Sequence, residues 1–459
     1  MSYDLVINGG TLVLPNGLVE ADLGIESGRI AALGEGLRGT QTVDTKNLLV
    51  LPGLVDPHVH PIHAETYRSV SEAAIHGGIT TTLHHLYTPP DRDPVRFFEQ
   101  AIPEAEADSY TDFAFHVRLN DLARTQPAIA ELTGRGSPTF KLFLAYGGRG
   151  IMVTDDEILL AMQAAVGCGG TLLFHAENGP LTELLEVQAR DRGSDSLLDY
   201  YASRPAEVEI EAVARLLSMV KLTRCPTYFV HLTCRESVRL VAAAKLEGLP
   251  VYAETCPHYL LLSAVEAAGL GGRAKMAPPL REDADRQGLW YALAAGFIDA
   301  IGSDHSAFVP AEKEGLDSIF EVGFGVPGIA TMFPLLFDRG VRQAKVTLAR
   351  LVDAMATRPA QILGLSGRKG CLAVGYDADF FLFDPEKPFV IDDASERGNA
   401  YYSLYAGRRG KGSIESVYCR GVPALLAGEL QADAAKGRFV RREIATGSGG
   451  ASTGGSRVP

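Results

Sequence analysis

Eight short apolar runs, rich in β-branched and aromatic residues, alternate with longer stretches of helical pattern through the middle of the chain. The runs are residues 48–60, 78–86, 112–119, 139–146, 171–177, 227–233, 251–259 and 299–305. This alternation is typical of parallel βα units. Eight units predict a (β/α)8 TIM barrel. An open doubly wound sheet is the alternative, but no Gly-x-Gly-x-x-Gly turn follows the first run.

Helices are predicted between the runs, for example over residues 154–167 and 205–222. The first of these opens with Thr154 and Glu157, a capping box that marks a helix start.

The two ends of the chain share a sequence pattern that differs from that of the middle. Residues 3–35, 371–384 and 414–430 are short apolar segments broken by glycine-containing turns, which indicates small antiparallel strands. Neither end has enough strands to be stable alone, so we expect both to form one small β domain. The predicted divisions are 1–50 and 369–445 for this domain, 51–368 for the barrel, and 446–459 for a disordered Gly/Ser-rich tail.

Composition excludes several classes of protein. Of 459 residues, 46% are hydrophobic and 22% are charged, which fits a globular chain with a large core. The net charge of −13 argues against a nucleic-acid partner. The start of the chain lacks a signal-peptide pattern and no long apolar stretch follows, so we expect a cytoplasmic protein without a membrane partner. The six cysteines form no C-x-x-C pair, which argues against a disulfide framework or a thiolate zinc site.

Candidate metal ligands fall at the ends of the predicted strands. They are His58, His60, Lys141, His175, His231 and Asp304. The carboxyl ends of barrel strands converge on one face, so these side chains are expected to meet. Four imidazoles and one carboxylate are too many for one tetrahedral zinc but suit two ions. Taken singly, each histidine has a structural alternative, and Asp304 has the alternative of a helix N-cap.

Lys141 is the unusual member of this set, because an ammonium group facing two cations would be repelled and costly to desolvate. A neutral lysine can add carbon dioxide and form an anionic carbamate whose two oxygens bridge two metals. A salt-bridged or substrate-binding lysine is the alternative.

Eight motifs together resemble the cyclic amidohydrolases, which are the hydantoinases, dihydropyrimidinases, allantoinases and dihydroorotases. They are DPHVHP (56–61), FKLFLAY (140–146), HAENG (175–179), HLTC (231–234), ETCPHYL (254–260), APPLR (277–281), GSDH (302–305) and VPGI (326–329). The resemblance covers residues 3–440 and implies that the end segments form a small β-sandwich. It implies two Zn²⁺ ions per chain, bridged by hydroxide and by Lys141 as N6-carboxylysine, with the other five candidate residues as further ligands.

The resemblance also implies a mechanism. The hydroxide attacks a ring amide carbonyl, and Asp304 takes the proton and passes it to the leaving nitrogen. Tyr146 hydrogen-bonds the developing oxyanion. The substrate-binding positions are Tyr146, Ala277, Phe324 and Gly325. Relatives carry serine and asparagine where this chain has Ala277 and Phe324, which leaves the identity of the ring open.

The first choice of function is a hydrolase of cyclic ureides or imides of the hydantoinase or dihydropyrimidinase type. Allantoinase is the alternative, because residues 87–90 and 401–407 resemble allantoinases or dihydroorotases. Dihydroorotase is disfavoured because Ile62 and Tyr87 stand where those enzymes carry an arginine and an asparagine for the substrate carboxylate. Arg149 is a loop residue that either supplies a charge there or is solvated.

Two other classes remain as alternatives. A non-catalytic oligomeric scaffold on the same fold is disfavoured because all six candidate ligands are present. A mononuclear amidohydrolase or deaminase predicts one zinc ion and an unmodified Lys141. The expected partner is a small cyclic amide, and the resemblance implies a homodimer or homotetramer. His63, His84 and His85 are expected near the mouth of the barrel, in roles that support the site or face solvent.

Overall fold

The computed structural model describes residues 2–431 and 436–443. The predicted disordered tail, 446–459, lies outside the described residues. The strands are β1 Tyr3–Asn8, β2 Thr11–Leu14, β3 Gly17–Glu20, β4 Asp22–Glu26, β5 Arg29–Gly34, β6 Gly39–Asp44, β7 Leu49–Pro52, β8 Leu54–Val59, β9 Ile79–Leu86, β10 Asp112–Arg118, β11 Thr139–Phe143, β12 Thr171–His175, β13 Thr227–Phe229, β14 Val251–Thr255, β15 Ala300–Ile301, β16 Phe380–Val390, β17 Arg409–Cys419, β18 Val422–Leu426 and β19 Glu429–Leu430.

Helices follow most of the barrel strands. They are α1 Tyr67–His76, α2 Pro94–Asp108, α3 Leu122–Thr125, α4 Ala128–Gly134, α5 Asp155–Cys168, α6 Gly179–Asp191, α7 Leu197–Ala202, α8 Ala206–Thr223, α9 Arg235–Leu246, α10 Pro257–Leu261, α11 Ala264–Ala267, α12 Asp283–Ala294, α13 Pro310–Lys313, α14 Met332–Leu336, α15 Leu348–Val352 and α16 Arg358–Ile362. The predicted helices at 154–167 and 205–222 are confirmed as α5 and α8, and Thr154 and Glu157 form the expected capping box. Within the described part of the chain, no helix combines the length and apolarity needed to cross a membrane.

Strands β8 to β15 pair in sequence order, and every pair is parallel. A parallel bridge between Val59 and His305 joins the end of β8 to the segment after β15, which closes the sheet. This confirms the (β/α)8 barrel and excludes the open doubly wound sheet. Apolar side chains fill the lower interior, including Val55, Leu83 and Leu173, so the barrel is a packed core and not a pore.

The chain ends form the small domain as predicted. One sheet has the strand order β5-β4-β1-β6, and the other has the order β19-β18-β17-β16-β7-β2-β3, so strands from both ends share it. The first predicted apolar run, 48–60, divides at Gly53 into β7 of this domain and β8 of the barrel. Glycine is required there, because a Cβ would lie 2.1 Å from Thr80 Oγ1.

A buried charge cluster joins the amino-terminal end of the barrel to the C-terminal segment. Lys369 Nζ lies 2.5 Å from Asp112 Oδ2, 2.6 Å from Asp379 Oδ2 and 3.0 Å from Asp377 Oδ2, and the lysine is 1% exposed. Burial disfavours the ammonium, but the carboxylates of Asp379, Asp112 and Asp377 outweigh it and hold the pKa of Lys369 above its ordinary value. The cluster therefore stabilises the fold far from the barrel mouth.

We expect Lys369→Met to lower the free energy of unfolding by about 3–5 kcal/mol, because it leaves the buried Asp379 carboxylate without its cation, while Asp112 keeps its pair with Arg420. Denaturant unfolding measures this change. Lys387→Met is the control, since Lys387 is an exposed lysine paired with Glu415, and it should change the midpoint little. Equal effects of the two substitutions would contradict a stabilising role for the cluster.

Candidate active site

The six predicted ligand residues line one cavity of about 480 Å³ at the carboxyl ends of the barrel strands. His58 lies in β8 and His60 just after it, Lys141 lies in β11, and His175 ends β12. His231 and Asp304 follow β13 and β15, and both adopt positive φ values, 41° and 48°. These strained turns aim their side chains back over the barrel mouth.

The nitrogens that face the centre of the site lie close together. His60 Nε2 is 2.9 Å and His58 Nε2 is 3.2 Å from Asp304 Oδ1, and His175 Nδ1 is 3.0 Å from His231 Nε2. Ligand atoms of His58, His231 and Asp304 all lie within 4.8 Å of one another. Although His58 Nε2 lies near Asp304 Oδ1, it is buried and makes no hydrogen bond within the described residues, so its lone pair is available to a cation.

The outward nitrogens of three of these rings are held by buried or half-buried side chains. His58 Nδ1 donates to Glu254 Oε1 at 2.7 Å, and His175 Nε2 donates to Glu177 Oε2 at 2.7 Å. His60 Nδ1 is hydrogen-bonded to Tyr87 Oη at 2.5 Å. Metal-ligating histidines usually carry such a bond on the nitrogen that does not face the metal. The donor set therefore fits divalent cations.

Sequence reasoning did not find Glu254 and Glu177 as parts of the site. Both are fully buried, and Glu254 also accepts from the backbone nitrogen of His231 at 3.1 Å and from Tyr228 Oη at 2.9 Å. Glu177 ends the apolar run 171–177, which was an available signal, whereas Glu254 lies inside the run 251–259.

We expect Glu254→Gln to weaken zinc binding by about 10–100-fold, because a neutral amide orients His58 less strongly and makes it a poorer ligand. Competition with a chelator measures the affinity, and circular dichroism checks the fold. Glu207→Gln on exposed α8 is the matched control and should bind zinc like the unaltered protein. Unchanged affinity in Glu254→Gln would contradict a positioning role for this carboxylate.

Lys141 lies in the wall of the cavity, in register with Leu173 of β12 and Arg118 of β10. Its side chain is 1% exposed. Burial lowers the pKa of Lys141 to about 8, although the carboxylates of Asp304 and Glu254 act in the opposite direction. A substantial fraction of this amine is therefore neutral near pH 7 to 8, and a neutral amine is nucleophilic.

The predicted substrate-binding residues also line the cavity, namely Tyr146, Ala277, Phe324 and Gly325. The rings of Tyr146 and Phe324 are stacked with centroids 5.1 Å apart. Burial raises the pKa of Tyr146 above its ordinary value, so its phenol keeps the proton and can donate. Gly325 has a φ of 153°, and a Cβ there would lie 2.5 Å from the carbonyl oxygen of Ser306.

The other three histidines named in the sequence analysis lie in different places. His63 lines the cavity and stacks on Phe308 at 4.0 Å. His85 is buried beneath the site, with ring centroids 4.4 Å from His58 and 4.7 Å from His60. His84 packs against Tyr67 and the barrel's phenylalanines, so the expectation that it lies at the mouth is wrong. Residues 84 and 85 face opposite sides because successive strand residues alternate.

Comparison with known proteins identifies the family of this chain. Residues 49–424 match the model of the amidohydrolase family. The chain is 32% identical to D-hydantoinase of Ralstonia pickettii, over 96% of this chain and 99% of the relative, and 34% identical to allantoinase of Rubrobacter xylanophilus, over 96% and 98%. A solved D-hydantoinase structure has a TM-score of 0.92 at 31% identity, over 96% of this chain and 99% of that one. A dihydropyrimidinase structure from Brevibacillus agri has a TM-score of 0.90 at 29% identity, over 96% and 98%. The resemblance seen in the motifs is confirmed, and the chain belongs to the amidohydrolase family.

Proposed function

We propose that this protein is a metal-dependent hydrolase that opens the amide bond of a cyclic ureide or imide, of the hydantoinase or dihydropyrimidinase type. The observation that carries this proposal is the convergence of six potential ligands on one cavity, with the outward nitrogens of three histidines tied to buried or half-buried side chains. The hydantoinase relatives and structures support the same ring chemistry.

The residues that would hold two Zn²⁺ ions are His58, His60, Lys141 as N6-carboxylysine, His175, His231 and Asp304. Bound zinc would lower the pKa of a water to about 7 and polarise the carbonyl of the ring. The neutral Lys141 amine would attack carbon dioxide and release one proton, which leaves an anionic carbamate. Burial supports this modification by favouring the uncharged amine.

Asp304 is proposed as the group that moves the proton. Its Oδ1 lies between His58 and His60, and its side chain is 17% exposed, so it reaches both the ligands and the cavity. The carboxylate would accept the proton of the attacking water and then deliver it to the leaving ring nitrogen. The Tyr146 hydroxyl would donate to the oxygen on which negative charge develops.

Tyr146, Ala277, Phe324 and Gly325 are proposed to hold the ring. Ala277 and Phe324 offer no side-chain hydrogen bond, so backbone groups of these loops would meet the polar edge of the ring. Stacking of Phe324 on Tyr146 would orient the phenol toward the cavity.

We also propose that the protein is a homodimer or homotetramer in the cytoplasm. Consecutive helices α5 and α6 expose large apolar side chains, which are Leu160, Val166, Leu181, Leu184 and Val187. Exposed apolar side chains are typical of a surface that pairs with another protein chain when they form one patch. Sedimentation of the purified protein gives the assembly state.

Allantoinase is the second candidate. The allantoinase relative is similar to this chain over the same length as the hydantoinases, and residues 87–90 and 401–407 resemble that group. The departures at Ala277 and Phe324 also weaken the argument for a hydantoin or dihydropyrimidine ring.

A panel of rings tests the proposal. Zinc-loaded protein is incubated with dihydrouracil, an alkyl-substituted hydantoin, allantoin and dihydroorotate, and ring opening is followed by absorbance. We expect opening of the hydantoin or of dihydrouracil. Opening of allantoin alone would select the second candidate. Failure to open any ring, with two zinc ions bound per chain, would overturn the proposal.

A further inference from the structure

One wall of the cavity carries a guanidinium group that the proposed mechanism does not use. Arg118 is the last residue of β10 and is in register with Lys141 of β11, so both side chains project toward the interior of the barrel mouth. Asn120 lies two residues further along and lines the same cavity. Adjacent strands are about 4.8 Å apart, which places Arg118 beside the metal ligands without making it one of them.

The polar groups of this wall are poorly satisfied. Arg118 Nη2 donates to the carbonyl oxygen of Thr88 at 3.3 Å, while its Nε is buried without a hydrogen-bond partner among the described residues. Asn120 is 5% exposed, and its Oδ1 has no partner there either. Buried polar groups are usually hydrogen-bonded, so unsatisfied ones at a cavity point to a ligand.

No carboxylate balances the charge of Arg118. It forms no ion pair with any Asp or Glu of residues 2–431 and 436–443. Of the described residues that line the cavity, only Asp304 carries a carboxylate, and that group contacts His58 and His60. Burial lowers the pKa of Arg118, but guanidinium starts so high that it stays charged.

The guanidinium is held in place by an aromatic ring. Its central carbon lies 4.8 Å from the centroid of the Tyr87 ring, and Tyr87 Oη is hydrogen-bonded to His60. This cation–π contact holds Arg118 against the cavity wall, and its donors other than the Nη2–H that meets Thr88 remain for a ligand.

We propose that Arg118 and Asn120 bind a carboxylate carried on the substituent of the substrate ring, so that the preferred substrates are cyclic ureides with an acidic side chain. This inference rests on the proposed function and names its substrate class. A guanidinium binds a carboxylate through two parallel hydrogen bonds, and the Asn120 amide, turned to present its NH₂ group, adds a third donor. The substrate would supply the anion that this wall lacks.

This subsite differs from the one that the resemblance to dihydroorotases implies. Ile62 and Tyr87 stand at the positions where those enzymes bind the substrate carboxylate, and neither is charged. Arg118 reaches the cavity from the neighbouring strand. Arg149 also lines the cavity, but it is exposed and lies over the Phe324 ring at 4.2 Å, so solvent competes for its charge.

Two hydantoins that differ in one group test the inference. The hydantoins of glutamate and glutamine have side chains of equal length that end in a carboxylate and a carboxamide. We measure kcat/KM for racemic samples of both with zinc-loaded protein, and their binding by calorimetry. The unaltered protein should prefer the acid by about tenfold or more, and Arg118→Gln should remove most of that preference. Arg118→Lys should retain part of it, and Arg149→Gln should change it less than Arg118→Gln.

The outcomes separate the inference from the proposed function. Equal use of the two hydantoins by the unaltered protein, or an acid preference that survives in Arg118→Gln, would overturn the inference while the proposed function stands. An equal loss on both compounds in Arg118→Gln and Arg118→Lys would assign Arg118 to positioning Tyr87 and His60, which also overturns it. If neither compound is opened, the ring panel still decides the proposed function, and calorimetry still decides the inference. The inference is supported if the acid binds more strongly than the amide and this difference depends on Arg118. Equal binding of the two compounds refutes the inference.

Discussion

Lys141→Ala is expected to lower kcat by at least about 1,000-fold and to reduce the zinc content of the protein. The substitution removes the amine that would become the carbamate, and with it two oxygens that share one negative charge and would offset part of the metal charge. The lysine is buried in the cavity wall, so no other described side chain is placed to take over this bridge. Elemental analysis for zinc and steady-state kinetics measure the two effects.

Restoring the activity of Lys141→Ala with an added carboxylate would make this prediction specific to the carbamate. A short-chain carboxylate such as propionate fits the space left by the lysine and supplies two bridging oxygens, so it should restore part of the activity of Lys141→Ala. The same additive should not raise the activity of the unaltered protein. Lys221→Ala, at an exposed lysine of α8, controls for loss of a positive charge. Undiminished turnover by Lys141→Ala would refute the bridging role.

The barrel and its ligand positions were predictable from the sequence for a physical reason. Parallel strands buried on both faces leave continuous apolar runs, and in this fold a polar residue that ends such a run lies at the shared carboxyl face. His175, which ends β12, follows this rule. His231 and Asp304 lie beyond the hydrogen-bonded strands, yet their left-handed turns return them to the same cavity.

Other features depend on tertiary contacts that a linear pattern does not contain. The first apolar run has the pattern of one strand, but β7 and β8 belong to different sheets and separate at Gly53, where Thr80 of the next strand leaves no room for a side chain. Glu254 is separated from His58 by 196 positions, so their hydrogen bond has no local signal. The sequence gives no sign that Arg118 could bind a substrate, because its unsatisfied Nε beside the cavity is visible only in the structure.

Asp304→Asn is expected to lower kcat by about 100-fold to 10,000-fold while the protein still binds zinc. An asparagine oxygen can remain near His58 and His60, which lie 3.2 and 2.9 Å from Oδ1 in the unaltered protein, but an amide cannot accept and return a proton at neutral pH. The loss should therefore fall on kcat more than on KM, because the missing step is proton transfer and not substrate binding.

The zinc content of Asp304→Asn decides how a loss of turnover is interpreted. If zinc is retained and kcat falls, Asp304 acts in proton transfer. If both zinc ions are lost together with activity, Asp304 acts first as a ligand and its chemical role needs another variant, for which Asp304→Glu keeps the carboxylate. Asp317→Asn, at an exposed loop position, should leave kcat unchanged. Full turnover by Asp304→Asn would remove this residue from the mechanism and require that another group in the cavity protonate the leaving nitrogen.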